Sequence, residues 1–334
     1  MTRLYRLSVV AAIMTYALIV LGGVTRVSGS GLGCEDDWPL CQGRPYPPLN
    51  MLAIIEYLHR TVAAAIGFLV LATAIATWRS SAARKRTSYM AIGAFALIIV
   101  QALLGAVTVW WKLPPEVVTA HLGVAMIFLA STMLTAYFIA LDRNAPAWLV
   151  GAGRDPGLNP DRAFTLIARA GAVVIFALVL TGGATSTSGA ALACDQWPVC
   201  IRDAFIPERT SRYTWINISH RAAALIAAGT VAFVLYQALR RPVSRAAKRL
   251  AVGAAAIIAV QILLGAAYVW TAGSSWLSAA HLAMATLLSA AMLGLALVAH
   301  RPAEPEWRPV GPRTPAATSE SRGRQDGLVD ERPR

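Results

Sequence analysis

Eight long apolar stretches constrain this chain more than any other feature of its sequence. They run over Leu7–Val24, Thr61–Trp78, Thr87–Trp111, Val117–Leu141, Ala170–Ala193, Ala222–Leu239, Leu250–Leu277 and Ser278–Ala299. Each has about 18 residues or more, enough to cross the roughly 30 Å hydrocarbon core of a bilayer as a helix. Only 14% of the residues are charged, against about 25% in soluble domains. We therefore predict an all-α polytopic membrane protein with eight transmembrane helices, not a soluble enzyme.

Basic residues are distributed unevenly around these spans. The N-terminus and the even-numbered loops carry 15 Lys and Arg against 3 Asp, whereas the odd-numbered loops carry 8 basic and 8 acidic residues. Short loops rich in Lys and Arg stay in the cytoplasm. We therefore expect both termini on the cytoplasmic side of the cell membrane and the odd-numbered loops on its outer side. The net charge of +13 follows from this topology, and nothing in it indicates nucleic acid binding.

An internal repeat organises the chain, at an offset of about 160 residues. Five motifs of the first half recur in the second: Gly-Gly-x-Thr, Cys followed by Trp-Pro-x-Cys, His-Arg, Val-Gln-x-Leu-Leu-Gly-Ala and Ala-His-Leu. Each half holds four spans, so both have the same orientation and the repeat is parallel. We predict two four-helix bundles, over residues 1–145 and 146–300. Residues 301–334 lack apolar periodicity and are predicted to form a disordered cytoplasmic tail.

Four of the five histidines form two repeat-matched pairs, His59 with His121 and His220 with His281. Each lies near the outer end of an even-numbered span, so the two rings of a pair can face each other inside one bundle. Ionisable side chains in membrane spans are rare and usually functional. Interhelical hydrogen bonding is the simpler alternative, but the fourfold match favours ligand binding. His300, at the cytoplasmic end, is predicted to be a surface residue.

Two imidazoles on facing helices suit the two axial positions of a heme iron. A zinc site would need four nitrogen or sulfur ligands, and the cysteines have the wrong spacing for one. The Cys-x-x-Cys-His signature is absent, so a heme would be held non-covalently. Arg60 and Arg221 directly follow a ligand candidate, and we expect them to pair with heme propionates. Extension to the outer lipid headgroups is the alternative for both.

The four cysteines permit three pairings, and the repeat favours Cys34 with Cys41 and Cys194 with Cys200. Both pairs lie in outside loops, where disulfides form. In the structural interpretation, which we favour, each bridge pins a short Trp-Pro loop over its bundle. In the alternative, the pairs are redox-active dithiols that exchange electrons with an outside partner; the small entropic gain from so short a loop favours that role.

The two halves differ at one acidic position. Glu56 lies three residues before His59, on the same helical face, whereas the matched residue in the second half is Asn217. A salt bridge from Glu56 to Arg60 would be a structural explanation. The functional explanation is that the first half performs chemistry while the second only holds a cofactor.

Two other positions sharpen the comparison between the halves. Arg26 in the first half is matched by Ser186 in the second, so the first half has an extra cation near its histidines, a further candidate propionate partner. Gln101 and Gln261, by contrast, match each other. We predict that these two glutamines make interhelical hydrogen bonds in both halves and are not catalytic.

In combination, these features resemble the heme A synthase family, over about residues 1–300. The resemblance rests on eight spans in a tandem repeat, four paired histidines, Glu-x-x-His-Arg at residues 56–60 and the cysteine pairs of the outer loops. Those cysteine pairs are similar to the ones of a bacterial subset of the family. Other members lack them, so they are not universally catalytic.

The resemblance implies an oxidoreductase that serves cytochrome oxidase biogenesis. Its reaction converts a methyl group of heme O to the formyl group of heme A by successive hydroxylations, with oxygen taken from water. By the same resemblance, His59 and His121 flank the iron of the substrate heme and Glu56 is the catalytic carboxylate. His220 and His281 bind a heme b cofactor. Heme O synthase and an electron acceptor are candidate protein partners.

Elementary chemistry agrees with this interpretation. Oxidation of an unactivated methyl group needs an electron sink that side chains cannot supply, and Glu56 is the only acid close to a candidate ligand, so it is the economical base. Two other classes remain open. A diheme b-type cytochrome for electron transfer explains the four histidines but not Glu56, and a heme or lipid transporter needs no bound redox cofactor.

Overall fold

The computed structural model describes residues 3–81, 83–142, 161–200 and 211–299. Within these ranges the chain forms eight long helices and no β-strand: α1 (Arg3–Val27), α2 (Met51–Arg79), α3 (Lys85–Trp110), α4 (Pro115–Asp142), α5 (Arg162–Thr187), α6 (Arg212–Arg240), α7 (Arg245–Trp270) and α8 (Ser275–Ala299). Each is long and apolar enough to cross a membrane. The predicted all-α class and the number of spans are confirmed. The predicted tail, 301–334, and His300 lie outside the described residues.

Polar side chains fix the starts of four helices. Asn50 begins α2, with its Oδ1 accepting the Ala53 N–H at 2.8 Å. Asp161, Ser211 and Ser244 cap α5, α6 and α7 in the same way. A cap satisfies amide groups that the first helical turn otherwise leaves unpaired. It therefore helps α2 and α6 to begin several residues ahead of the predicted spans.

The predicted spans Thr61–Trp78 and Ala222–Leu239 begin later than the helices that contain them. Charged and polar residues interrupt the apolar sequence at the starts of these helices. The predicted spans are charge-free runs, so they begin only after those residues. In the structure Glu56 and Asn217 are buried, at 3% and 4% exposure, because these side chains face other protein elements and not lipid. The candidate site residues thus lie inside regular helix.

Two predicted span ends are wrong. The predicted spans Ala170–Ala193 and Leu250–Leu277 run past the ends of α5 and α7. The α5 helix ends before Gly189, whose φ is 79°, and α7 ends before Gly273, whose φ is 94°. This left-handed conformation suits glycine and stops a helix. Hydropathy does not register it, so the last residues of the second predicted span belong to α8.

Buried apolar residues form three main clusters within the described helices. One lies among the first four helices, and another lies among the last four. A third joins α1 and α4 to α5 through Ile19, Met126, Leu129 and Val179. The order of long helix, short 3-10 helix and three long helices occurs twice along the chain. The division into two bundles at residue 145 lies outside the described ranges and stays a prediction.

Two glycines allow the halves to approach closely. A Cβ built on Gly23 of α1 would lie 2.5 Å from Cδ2 of Leu282 on α8, and one on Gly183 of α5 would lie 3.0 Å from Cδ2 of Leu122 on α4. Real Cβ atoms rarely approach other atoms so closely. Gly23 and Gly183 are repeat-matched, as are the two leucines. The same contact therefore occurs twice where the first four helices meet the last four.

Candidate functional site

A single large cavity inside the described helices reaches both histidine pairs. Its volume is about 1580 Å³, whereas a pocket for one small ligand typically has about 300–1,000 Å³. All eight helices contribute to its mainly apolar lining. The cavity has the size and character to hold more than one bulky apolar ligand.

The structure brings the four predicted histidines to this cavity. His59 and His220 lie near the starts of α2 and α6, and His121 and His281 lie near the starts of α4 and α8. In each half one ring comes from the second long helix and the other from the fourth, and both line the same cavity. The arrangement has the pairing that ligation of one group by two imidazoles requires.

Each histidine ring packs against a glycine of a neighbouring helix. A Cβ built on these glycines would lie 3.0 to 3.3 Å from the ring Cε1 atom. The four contacts are His59 on Gly22, His220 on Gly182, His121 on Gly105 and His281 on Gly265. These glycines belong to the repeated sequence motifs, but their role was missed. Their matched recurrence on the helices before the histidine helices was the available signal.

The ring nitrogens supply a test of whether a heme fits. The Nδ1 atoms of His59 and His121 are buried with no hydrogen-bond partner among the described residues. These rings line the cavity, and because their Nδ1 atoms are enclosed, Nε2 is the nitrogen that a ligand in the cavity could bind. No group of three or more His, Cys, Asp or Glu side chains in the described ranges could hold a bare metal ion. Paired imidazoles on an apolar cavity fit a heme.

Glu56 is the only acidic residue among the described residues that line the cavity. Its carboxylate is tied to the cysteine loop that follows α1. One oxygen, Oε2, accepts the backbone N–H of Cys34 at 2.8 Å, and the other accepts Nη2 of Arg60 at 2.5 Å. The salt bridge considered from the sequence is therefore present, and Glu56 supports the loop as well as facing the cavity.

Asn217 also contacts an arginine and the loop before its helix, but it donates to the loop where Glu56 accepts. Its Nδ2 donates to the carbonyls of Ala190 and Ala191, at 2.9 and 3.0 Å. Its Oδ1 accepts Nε of Arg221 at 2.8 Å. The loop offers an N–H to Glu56 but carbonyl groups to Asn217, and an amide can donate where a carboxylate cannot. Loop geometry thus accounts for part of the difference between the halves.

Arg60 and Arg221 hold the two cysteine loops in place. Nη1 of Arg60 donates to the carbonyl of Asp37 at 2.8 Å and of Leu40 at 2.6 Å. Arg221 donates to four carbonyls of its loop: Cys194, Gln196, Pro198 and Val199. The sequence offered propionates or lipid headgroups as partners, and loop carbonyls were not considered. Pairing with a propionate stays a prediction for both arginines.

Arg26 connects the two halves. Its Nη1 donates to Oγ of Ser186 at 2.7 Å, and its Nη2 donates to the carbonyl of the same residue. These are the repeat-matched positions that differ in the sequence. Arg26 also lines the cavity, so it lies between the halves with a guanidinium group at the cavity wall, in reach of an anionic ligand group.

The two predicted disulfides are confirmed. Cys34 is bonded to Cys41 and Cys194 to Cys200. All four cysteines are at most 2% exposed. A tryptophan of each loop packs edge-on against one at the end of a helix, Trp38 on Trp110 and Trp197 on Trp270. Because buried disulfides are poorly accessible to an attacking thiolate, their burial favours the structural interpretation.

One predicted hydrogen bond between helices is also present. Nε2 of Gln101 on α3 donates to the carbonyl of His121 on α4, at 2.9 Å. Gln261 is buried at the matched position, with an exposure of 7%. The bond from Gln101 fixes the backbone of a candidate ligand and leaves its imidazole free.

Comparison with known proteins agrees with this architecture. Residues 5–293 match the model of a family described as cytochrome oxidase assembly protein. Among curated proteins, the chain is 30% identical to the heme A synthase of Bacillus pumilus (strain SAFR-032) over 235 residues, which cover 70% of this chain and 74% of the relative. It is 29% identical to the heme A synthase of Bacillus cereus (strain AH187) over 236 residues, 70% of this chain and 73% of the relative. With eight helices in the described ranges that are long and apolar enough to cross a membrane, the chain is a multi-pass membrane protein that belongs to the cytochrome oxidase assembly protein family.

Proposed function

We propose that this protein is a heme A synthase, an enzyme that oxidises a methyl group of heme O to the formyl group of heme A. The observation that carries the proposal is one apolar cavity with two histidine pairs and, among its described lining residues, a single acid, Glu56, on the helix of His59. Two similar heme sites with no such difference would be expected of an electron-transfer cytochrome. The names of the curated relatives support the same activity.

The two histidine pairs are assigned different ligands in this proposal. His59 and His121 hold the iron of the substrate, heme O, because Glu56 and Arg26 are on their side of the repeat. His220 and His281 hold heme b, since no acid accompanies them among the described lining residues. When bound there, heme b supplies a one-electron redox centre that amino acid side chains lack.

The overall reaction defines what the protein must provide. Two successive hydroxylations use two waters and release four protons and four electrons. The geminal diol that they form loses one water to give the formyl group, so the net consumption is one water. The chain therefore has to position the methyl group, admit water, accept protons and let electrons leave toward an acceptor. The apolar cavity wall serves the first need by holding the porphyrin while excluding bulk water.

Glu56 is the residue suited to handle water and protons. Its carboxylate lies one helical turn from His59 and is held by the Cys34 N–H and by Arg60. A carboxylate fixed at two points can orient a water molecule or accept its proton within hydrogen-bonding reach. The same contacts keep the cysteine loop closed over the site, so Glu56 serves both chemistry and loop support.

We also propose an orientation in the plasma membrane. Both termini lie in the cytoplasm and the cysteine loops lie outside, as the bias of Lys and Arg indicates. The disulfides support this orientation, because they form in oxidising compartments. Heme O is delivered by heme O synthase in this proposal, and the electrons of the reaction leave to an electron acceptor.

The heme profile of cells tests the proposed activity. The protein is expressed in cells that make heme O but lack heme A. The extracted hemes are then separated and identified by mass spectrometry. We expect heme A to appear only when the protein is present. Heme O and heme b with no heme A would overturn the proposal in favour of a cytochrome, and a purified protein that retains no heme would overturn it in favour of a transporter.

The glycine contacts give a prediction for heme retention. In Gly182→Ala the added Cβ would meet the His220 ring at 3.0 Å, so the ring must shift. We expect purified protein to bind heme b roughly tenfold more weakly, as when support of a metal ligand is lost. Gly253→Ala is the matched control, because a Cβ there meets nothing within 4 Å. Equal heme binding by the two variants would show that the glycine contact is unimportant.

A further inference from the structure

One of the four cavity histidines differs from the others in its ring contacts. Nδ1 of His220 lies 3.2 Å from Oγ1 of Thr181, on the neighbouring helix α5. Within the described residues, Nδ1 of His59, His121 and His281 is hydrogen-bonded to no side chain. The bond therefore belongs to one specific imidazole of the second half.

The direction of this hydrogen bond follows from the rest of the chain of contacts. Oγ1 of Thr181 donates its single proton to the carbonyl of Leu178, at 2.9 Å. The roles in the contact with His220 depend on the ring tautomer; in the tautomer that keeps the Leu178 bond, Oγ1 of Thr181 accepts and Nδ1 of His220 donates. The neutral ring consequently carries its lone pair on Nε2, the nitrogen left available for a metal.

The first half lacks this arrangement although its surroundings match. Leu21 stands at the position of Thr181, and a leucine side chain cannot accept a hydrogen bond. Nδ1 of His59 is accordingly buried without a partner among the described residues. The next residue is glycine in both halves, and both glycines pack on the histidine ring at similar distances. The hydroxyl group of Thr181 is thus the specific difference at these two rings.

We propose that Thr181 is a positioning residue for the second-half heme: it fixes the tautomer and orientation of His220 and strengthens the ring as an iron ligand. This inference rests on the proposed function, in which His220 is one of the two residues that would hold heme b. A ligand histidine whose other N–H is hydrogen-bonded donates more strongly to its metal. Stronger donation favours ferric over ferrous iron, so Thr181 lowers the reduction potential of this heme. The first site, with Leu21, receives no such contribution.

The test is a potentiometric titration of heme b in purified full-length Thr181→Val. Valine keeps the shape of threonine and removes the hydroxyl group. We expect the midpoint potential to become more positive and heme affinity to fall about 10- to 100-fold, as for other lost partners of metal ligands. Thr181→Ser restores the hydroxyl group and should return both quantities toward the wild type. Thr230→Val, which removes a hydroxyl bonded only within α6, should change neither.

Each outcome decides for or against the role of Thr181. Complete loss of heme in Thr181→Val with retention in Thr181→Ser would support it, because only the hydroxyl group distinguishes the two in this respect. An unchanged potential and affinity in Thr181→Val, or equal losses in both variants, would overturn it. Failure of the proposed ligand set is seen separately, as an unchanged heme spectrum in His220→Ala.

Discussion

Replacement of Glu56 by Gln is expected to lower heme A formation by roughly 10²- to 10⁴-fold, the usual effect of losing general acid–base catalysis. Glutamine keeps the size of the side chain and can still accept the Cys34 N–H that Glu56 accepts at 2.8 Å. It loses the negative charge and the capacity to take a proton. Binding of heme b by the second half should persist. The measurement is the ratio of heme A to heme O in cells with matched protein levels, together with the heme b spectrum.

The double role of Glu56 requires a control for the cysteine loop. Tyr57→Phe serves this purpose, because the Tyr57 hydroxyl donates to the Pro45 carbonyl of the same loop at 2.6 Å and carries no charge. We expect this variant to lose less than about tenfold, the effect of one exposed neutral hydrogen bond. Near-normal heme A in Glu56→Gln would mean that Glu56 only pairs with Arg60. Equal losses in the two variants would assign the effect to the loop.

The second large effect concerns the heme b ligands. His220→Ala and His281→Ala are each expected to abolish the low-spin, bis-histidine absorbance of the purified protein. Both residues line the cavity, and alanine offers no atom that can bind iron. When one of only two ligand residues is lost, a neighbouring side chain seldom takes its place. We therefore expect this absorbance to disappear completely in each variant.

Matched variants of the first half show whether the loss is specific. His59→Ala and His121→Ala remove the equivalent ligands of the substrate site, and in both we expect heme A formation to stop while the heme b absorbance remains. An unchanged spectrum in both His220→Ala and His281→Ala would refute the assignment of heme b to the second half. Loss of the heme b spectrum in His59→Ala would point to exchanged roles.

Features that depend on chemistry repeated along the chain could be predicted from the sequence. The eight helices follow from apolar runs longer than a bilayer requires. The disulfides Cys34–Cys41 and Cys194–Cys200 follow from matched positions in short loops. The pairing of the histidines was predicted because the two histidines of the first half recur at matched positions in the second. In all these cases residue type and spacing decide the outcome, and loop conformation matters little.

Contacts between side chains and loop backbone could not be predicted. Whether a loop presents an N–H or a carbonyl group to position 56 or 217 depends on its folded path, and that path decides what Glu56 and Asn217 bind. The carbonyl partners of Arg60 and Arg221 were missed for the same reason. Helix ends at Gly189 and Gly273 were also missed, because these turns contain no charged residue and a charge-free run continues through them.

The central claim is that the two histidine pairs hold different hemes. The heme content of wild-type protein purified from cells that make heme O tests it most directly, by mass spectrometry with quantification per chain. We predict one heme b and one heme of the O-to-A series, either heme O, a hydroxylated intermediate or heme A, in each chain. Two equivalents of heme b with no heme of that series would contradict the account.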